Sequence, residues 1–243
     1  MALPIGLQLY TVREQLKADY SEVMHCLADI GFAGVEPYGV PETLNEQAAL
    51  LKELGLEIPS AHVPILDAPL IAEAYGISRV ISGYGPDEFR TLDDVKRTCE
   101  RLNGVAQDLA QHGLTFGYHN HWWEIEAVEG QRPYAIMLQE LDPAIFFEVD
   151  VYWVKVGGMD PVQVIKECGE RATFLHIKDG PADVPKSDMV AVGKGLIDIP
   201  AAIEAAEYAE WLIVELDRCA TDMLEAVEAS YNYLINKGLG HGR

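Results

Sequence analysis

The amino-acid sequence predicts an α/β fold, a single (β/α)8 TIM barrel over residues 1–243, on three observations. Short apolar or aromatic runs alternate with longer amphipathic ones from end to end, the pattern of repeated strand–helix units around a parallel sheet. About eight strand-like runs occur, the number that closes a parallel barrel in roughly 250 residues. A doubly wound open sheet is the competing architecture, but no G-x-G-x-x-G follows the first strand, which removes its usual support.

The strands, in order, are "IGLQLYT" (5–11), "GVEPYG" (34–39), "IPSAHVP" (58–64), "RVISGYG" (79–85), "LTFGYHN" (114–120), "IFFEVDVYW" (145–153), "TFLHIKD" (173–179) and "WLIVELD" (211–217). The helices between them carry end signals. "PETLNEQAALLKELG" opens with proline and closes with glycine, and "TLDDVKRTCERLNGVAQDLAQHG" has a capping threonine, an acidic first turn and a stop at Gly113. "DPVQVIKECG" and "DIPAAIEAAEYAE" share an Asp and Pro entry. The third unit has the weakest helix signal, because "LDAPLIAEAYGIS" is short and contains a proline.

Bulk composition narrows the function classes. With 243 residues, 49% hydrophobic and 23% charged, the chain fits one soluble globular domain with a substantial core, or at most two small ones, and disorder is not expected over most of it. A net charge of -21, from 39 acidic against 18 basic residues, repels phosphate backbones and anionic membranes, so neither nucleic acid nor membrane is an expected partner. Cys26, Cys99, Cys168 and Cys219 are widely spaced with no C-x-x-C pair, which reads as core thiols in a reducing compartment. The start, "MALPIGLQLYTVREQL", has no basic stretch leading into a long apolar run, and no segment approaches the ~20 apolar residues that span a bilayer. The expectation is a cytoplasmic protein.

In a barrel of this kind the active site lies at the carboxyl ends of the strands. There the sequence places Glu36 and Tyr38, His62, His119 and His121, Glu148 and Asp150, His176 with Lys178 and Asp179, and Glu215 with Asp217. An ionised carboxylate is costly to bury unless it is paired, hydrogen-bonded or metal-bound. Alternation along a strand puts Glu148, Asp150 and Tyr152 on one face, His176 and Lys178 on one, and Glu215 and Asp217 on one. An imidazole from the fifth strand, a carboxylate from the sixth, an imidazole from the seventh and a carboxylate from the eighth would form a mixed N/O shell with open positions. Such a shell suits Mn²⁺, Co²⁺, Fe²⁺ or Zn²⁺.

The strand order, with "LQLYTVRE", "GVEPYG", "SAHVP", "YHNH", "EVDVYWVKVGGMDPVQ", "HIKD" and "VELD", resembles the xylose isomerase-like barrels over essentially the whole chain. That family includes sugar-phosphate isomerases and epimerases, hydroxypyruvate isomerases, inosose dehydratases and, more distantly, apurinic endonucleases. The resemblance implies a divalent metal (Mn, Co, Fe, Zn or Mg) held at the ends of strands five to eight, here by His119, Asp150, His176 and Glu215. It also implies a small sugar, polyol or keto-sugar as substrate. One departure stands out. Ketose epimerases of the superfamily have glutamates on strands five and eight that work from opposite faces of the substrate, whereas "YHNH" puts His119 at the strand-five position, as in inosose dehydratases. Glu148 or Glu124 could restore a second carboxylate from another place.

The chemistry expected is proton abstraction beside a carbonyl, with the metal stabilising the enediolate or enolate. Glu215 or Glu148 is the candidate base, and His62, His121 or Lys178 the acid or electrostatic partner. Trp122, Trp123, Trp153, Tyr38, Tyr84 and Tyr152 offer aromatic faces for a sugar ring, or else cap the barrel. Glu36 either faces substrate or pairs with Arg13 or Lys178, Glu124 is a further candidate substrate contact, and Lys194 in "VGKGLID" sits in a loop suited to a lid or phosphate contact. The leading expectation is an isomerase or epimerase, with a dehydratase or lyase as its rival and a non-catalytic carbohydrate-binding barrel as a reading of another class. A phosphodiesterase acting on abasic DNA would need further His and Glu ligands and a basic groove. For assembly, a homodimer stands beside the monomer.

Overall fold

The computed structural model describes residues 2–243. Its wall is β1 (Leu3–Gln8), β2 (Gly34–Glu36), β3 (Ala61–His62), β4 (Arg79–Ser82), β5 (Thr115–His119), β6 (Phe146–Asp150), β7 (Ala172–Ile177) and β8 (Trp211–Val214), with a short β9 (Gly240–His241) beside β1. The strands pair in parallel in the order β2-β1-β8-β7-β6-β5-β4-β3. The remaining seam is stitched by bridges of Gly34 to Glu57 and of Tyr38 to His62, where the Val35 N–H donates to the Glu57 carbonyl at 2.9 Å and the His62 N–H to the Pro37 carbonyl at 2.8 Å. The result is the expected TIM barrel.

The period of two along each strand explains what fills the barrel and what rises to its mouth. Phe146, Phe174, Trp211, Ile213 and Ile81 form an apolar cluster of their own, which fills the interior toward the amino ends. The next positions of the same alternation, on these strands or just past their ends, are Glu148 and Asp150, His176 and Lys178, and Glu215. Gly117 makes room for this plug: a side chain there would run into the Phe146 ring. The larger hydrophobic core lies between wall and helices.

Several elements are shorter than the sequence predicts. The first strand stops at Gln8, whose side chain accepts from the Tyr10 N–H and starts a 3-10 turn over Leu9–Val12. The sixth stops at Asp150, whose Oδ1 accepts from the Trp153 N–H at 2.8 Å and caps the helix Val151–Val156. Tyr152 is therefore helical and does not share a strand face with Glu148. The third unit does contain a helix, Ala68–Tyr75, with its proline in the first turn, where a missing N–H costs nothing. Thr91, Asp160 and Asp198 cap Leu92–Ala110, Pro161–Cys168 and Ile199–Ala205. Cys99 and Cys168 are buried, whereas Cys26 and Cys219 are half-buried. Among the described residues, no helix is long and apolar enough to cross a membrane.

Candidate active site

A cavity of about 490 Å³ opens at the carboxyl ends of the strands, lined by Gln8, Tyr38, His62, His119, His121, Glu215 and Asp217 among others. Beneath it lies a layer of fully buried polar side chains: Glu36, Glu148, Asp150, His176 and Lys178. Two ligand-type groups share His176. His119, Asp150, His176 and Glu215 each offer one atom within 4.8 Å of the others, as do Glu36, His62, Glu148 and His176.

The first group carries the features of an ion site. His176 Nδ1 and Glu215 Oε2 lie 2.8 Å apart, and Lys178 Nζ is 2.6 Å from the same carboxylate oxygen. His119 Nε2 is 3.3 Å from Asp150 Oδ2. Donors about 2.1 Å from one ion stand roughly 3 Å from each other, so this spacing fits ligands converging on a shared cation. Charge supports the fit. Five carboxyl groups, Glu36, Glu148, Asp150, Glu215 and Asp217, gather at this end of the barrel with one lysine among them, whose Nζ is 2.9 Å from Asp150, 2.6 Å from Glu215 and 2.8 Å from Asp217. Buried carboxylates in excess of cations call for a further positive charge, and the two N and two O donors suit a borderline divalent ion.

The second group is hydrogen-bonded throughout. His62 Nε2 is 2.5 Å from Glu148 Oε2, and His176 Nε2 is 3.0 Å from both Glu36 Oε2 and Glu148 Oε2. Gln8 Nε2 and Ser60 Oγ donate to Glu36 at 2.7 and 2.5 Å. Glu148 Oε1 is left buried and unpaired. Asn120 holds the Asp150 backbone, its Oδ1 accepting from the N–H at 3.0 Å.

These contacts set the protonation states. Burial pulls the His62 and His176 imidazoles down, but carboxylates outweigh it: Glu36 and Glu148 leave His62 above its ordinary value, and Glu148 and Glu215 leave His176 well above. Burial alone would raise Glu148 and Glu215, yet His176 and His62 hold the first below the usual carboxylate range, and Lys178 and His176 the second. Burial, reinforced by His176 and His62, takes His119 well below its ordinary value. His121 falls for the same reason, with His119 beside it.

Of the residues singled out in the sequence, Tyr38, His62, His119, His121 and Glu215 line the cavity. Glu148 and Lys178 do not: both lie in the buried layer, behind His62 and Glu215 respectively. Glu36 is fully buried and pairs with neither Arg13 nor Lys178, because Gln8, Ser60 and His176 surround it. Glu124 is no cavity contact. It is fully buried, accepting from Tyr118 Oη at 2.6 Å and the His121 N–H at 2.8 Å, and burial pushes its carboxyl up to about 7. Trp122 packs on Trp123 and Trp153, and Trp153 is 3% exposed with Lys178 Nζ 5.2 Å from its ring, so these two pack tilted against each other rather than line the cavity. Lys194 is exposed on its loop and also does not line the cavity.

Gln8 and Ser60 escaped sequence reasoning. Their signal was positional: Gln8 is the next inward position after Gly6, and Ser60 precedes His62 by two residues.

Fold and site together define a class, the parallel barrel with a His and carboxylate cluster at its carboxyl mouth. The chain belongs to the xylose isomerase-like TIM barrel family, which matches residues 25–236. It is similar to a sugar phosphate isomerase/epimerase from Parabacteroides distasonis at 25% identity and TM-score 0.84, over 96% of this chain and 94% of that one. It also shares its fold with a probable 3-DHS dehydratase from Bacillus anthracis (16% identity, TM-score 0.78, 97% and 100% covered). A third likeness is the IOLI protein, solved with a zinc atom (13% identity, TM-score 0.76, 96% and 97% covered). No curated protein matches the chain.

Proposed function

We propose that this protein is a metal-dependent enzyme acting on a sugar, polyol or keto-sugar by removing a proton beside a carbonyl, with isomerisation or epimerisation as the outcome. The observation that carries this is the convergence of His119, Asp150, His176 and Glu215 under the cavity, each offering one ligand atom within 4.8 Å of the others. The zinc in the IOLI protein and the isomerase/epimerase description of the Parabacteroides protein support the reading. A divalent ion bound by those four residues would supply Lewis-acid polarisation of a substrate carbonyl.

The chain's own residues divide the remaining work. Glu215 and His62 both line the cavity, so a substrate carbon held between them has a carboxylate and an imidazole within reach for proton transfer. Glu148 fixes the His62 ring from behind, and Lys178 holds Glu215 ionised. Tyr38 and His121 contribute the walls against which a small ring is oriented. A specific observation favours elimination of water or a glycosyl group as the second reading. The proton-transfer groups facing the cavity are unlike, one carboxylate and one imidazole, and the strand-five end presents His119 in place of a carboxylate. Unlike groups suit a base on one carbon and an acid on a leaving oxygen.

The test is solvent-deuterium exchange into a panel of keto-sugars and inososes, run with Mn²⁺, Co²⁺, Zn²⁺ or Mg²⁺ and again after chelation. Metal-dependent exchange is expected, and the product separates isomerisation from elimination. No exchange with any ion across the panel sinks the proposal.

A further inference from the structure

A phosphorylated substrate brings a dianion, which leaves water at little cost only where cations or free N–H groups meet it. Among the described residues, no arginine or lysine lines the cavity at the barrel mouth. The nearby cations are engaged inside the protein. Lys178 is fully buried and reaches Asp150, Glu215 and Asp217. The Arg13 guanidinium donates to the Tyr10 and Asp217 carbonyls, each at 2.8 Å, and lies over the Tyr10 ring. Arg218 donates to the Pro185 carbonyl at 2.8 Å. The imidazoles of the wall have partners of their own: His62 meets Glu148, His119 meets Asp150, and His121 lies flat against Trp123 at 4.2 Å. A divalent ion held by His119, Asp150, His176 and Glu215 would offset the carboxyl groups already gathered there rather than add a surplus of positive charge.

Barrels commonly cradle a phosphate with the loops after the seventh and eighth strands and with a helix N-terminus. Here both places hold an anion of the protein's own. After β7, the N–H groups of Gly180, Gly193, Gly195 and Ile197 all donate to the Asp179 carboxylate. After β8, the helix Met223–Asn236 is capped by Asp222, which accepts from the Glu225 N–H at 3.1 Å. The chain between β8 and that helix also brings Asp217 to the cavity wall. Its Oδ2 accepts from Lys178 at 2.8 Å, and 24% of the side chain stays exposed. Burial raises the Asp217 carboxyl and the touching Lys178 ammonium opposes the rise. An ionised carboxylate accepts hydrogen bonds and donates none, so it pairs with a hydroxyl and not with a phosphate oxygen.

We propose that the cavity selects an unphosphorylated, uncharged polyhydroxy substrate, with Asp217 as a specificity-determining residue that accepts a bond from a substrate hydroxyl and repels a phosphoryl group. The inference rests on the sugar reading of the cavity and narrows it to neutral sugars, polyols and keto-sugars.

Calorimetry on the full chain, loaded with Co²⁺ and freed of excess ion, tests this with each keto-sugar and inosose of the exchange panel paired with its monophosphate ester. The free members should bind about tenfold tighter or more than their esters. The gap should narrow as ionic strength rises from about 0.01 to about 1 M, because the Debye length shrinks from about 30 to about 3 Å. Asp217→Asn should weaken the free members and close most of the gap, whereas Lys194→Ala, on its exposed loop, should leave the gap as in wild type. Esters that match or exceed their free partners, above all with that binding lost in Lys194→Ala, would overturn the inference and leave the sugar reading in place. A gap insensitive both to salt and to Asp217→Asn would be exclusion by size and would overturn it too. If neither member of any pair binds, the sugar reading fails and takes the inference with it.

Discussion

His62 Nε2 lies 2.5 Å from Glu148 Oε2 while His62 itself lines the cavity. Against the lowering pull of burial, Glu36 at 3.4 Å and the hydrogen-bonded Glu148 raise the imidazole's proton affinity, and Glu148 also fixes the ring's orientation. Replacing His62 by alanine should lower turnover by roughly 10²–10⁴-fold and leave metal content intact. Glu148→Gln removes one of the charges that raise His62, so the imidazole pKa falls. The limb of the pH–rate profile set by His62 should move to lower pH, read from deuterium exchange across pH 5–9. A profile unmoved by the substitution would count against His62 as the titrating group.

Metal uptake should be coupled to proton release. In the metal-free chain His176 is held well above its ordinary value by Glu148 and Glu215, against the opposing pull of burial, so at neutral pH the ring is protonated. A metal ligand must give up that proton. Affinity for Zn²⁺ or Mn²⁺ therefore rises with pH, and binding at pH 7 should release about one proton, measured by calorimetry in buffers of different ionisation enthalpy. Wild type prepared with metal available should carry roughly one equivalent by plasma mass spectrometry, and His119→Ala, Asp150→Ala, His176→Ala and Glu215→Ala should each lose it.

How far the site was legible in the sequence follows from the period of strands. His176, Lys178 and Glu215 sit at alternating positions at or just beyond strand ends, so their convergence could be read from one dimension. Depth could not. Glu124 and His121 lie three residues apart after β5, yet one lines the cavity and the other is sealed beneath it, because the chain leaves the strand and its alternation ends. Asp150 misled in the same way. A run of apolar and aromatic residues, "VDVYW", continues a strand pattern, but the carboxylate prefers the free N–H groups of a helix start and turns the chain there.

Glu124 offers a stability test independent of catalysis. Its carboxyl, pushed up by burial to about 7, has an ordinary value of 4.5. A raised folded-state pKa means that the stabilising contribution of the neutral form is fully present below the unfolded value and is lost as pH rises through the folded one. Between pH 4.5 and 7 the cost grows to about 3 kcal/mol. The stability difference between Glu124→Gln and wild type should shift by about that amount in the variant's favour from pH 4.5 to pH 8, followed by urea unfolding. A difference that stays constant with pH would show that the carboxyl is not titrating in this range.

Asp179 orders the loop that follows β7. Its carboxylate accepts from the N–H groups of Gly180, Gly193, Gly195 and Ile197 at 2.8, 2.9, 2.9 and 3.1 Å. Glycine at 195 is required by that approach, since a side chain there would overlap Asp179 Oδ1. The loop in turn supplies Met189, whose Sδ accepts from the Asp217 N–H at 3.4 Å, and Asp217 anchors Lys178. A fully buried carboxylate with four charge-assisted bonds cannot be removed cheaply. Asp179→Ala should lower stability by at least about 3 kcal/mol and expose residues 180–197 to proteolysis. It should also weaken metal binding, because Lys178 loses part of its support, whereas Lys194→Ala, an exposed change in the same loop, should leave stability and metal binding alone. Should Asp179→Ala prove as resistant to protease as wild type, the four backbone bonds are not what holds the loop in place.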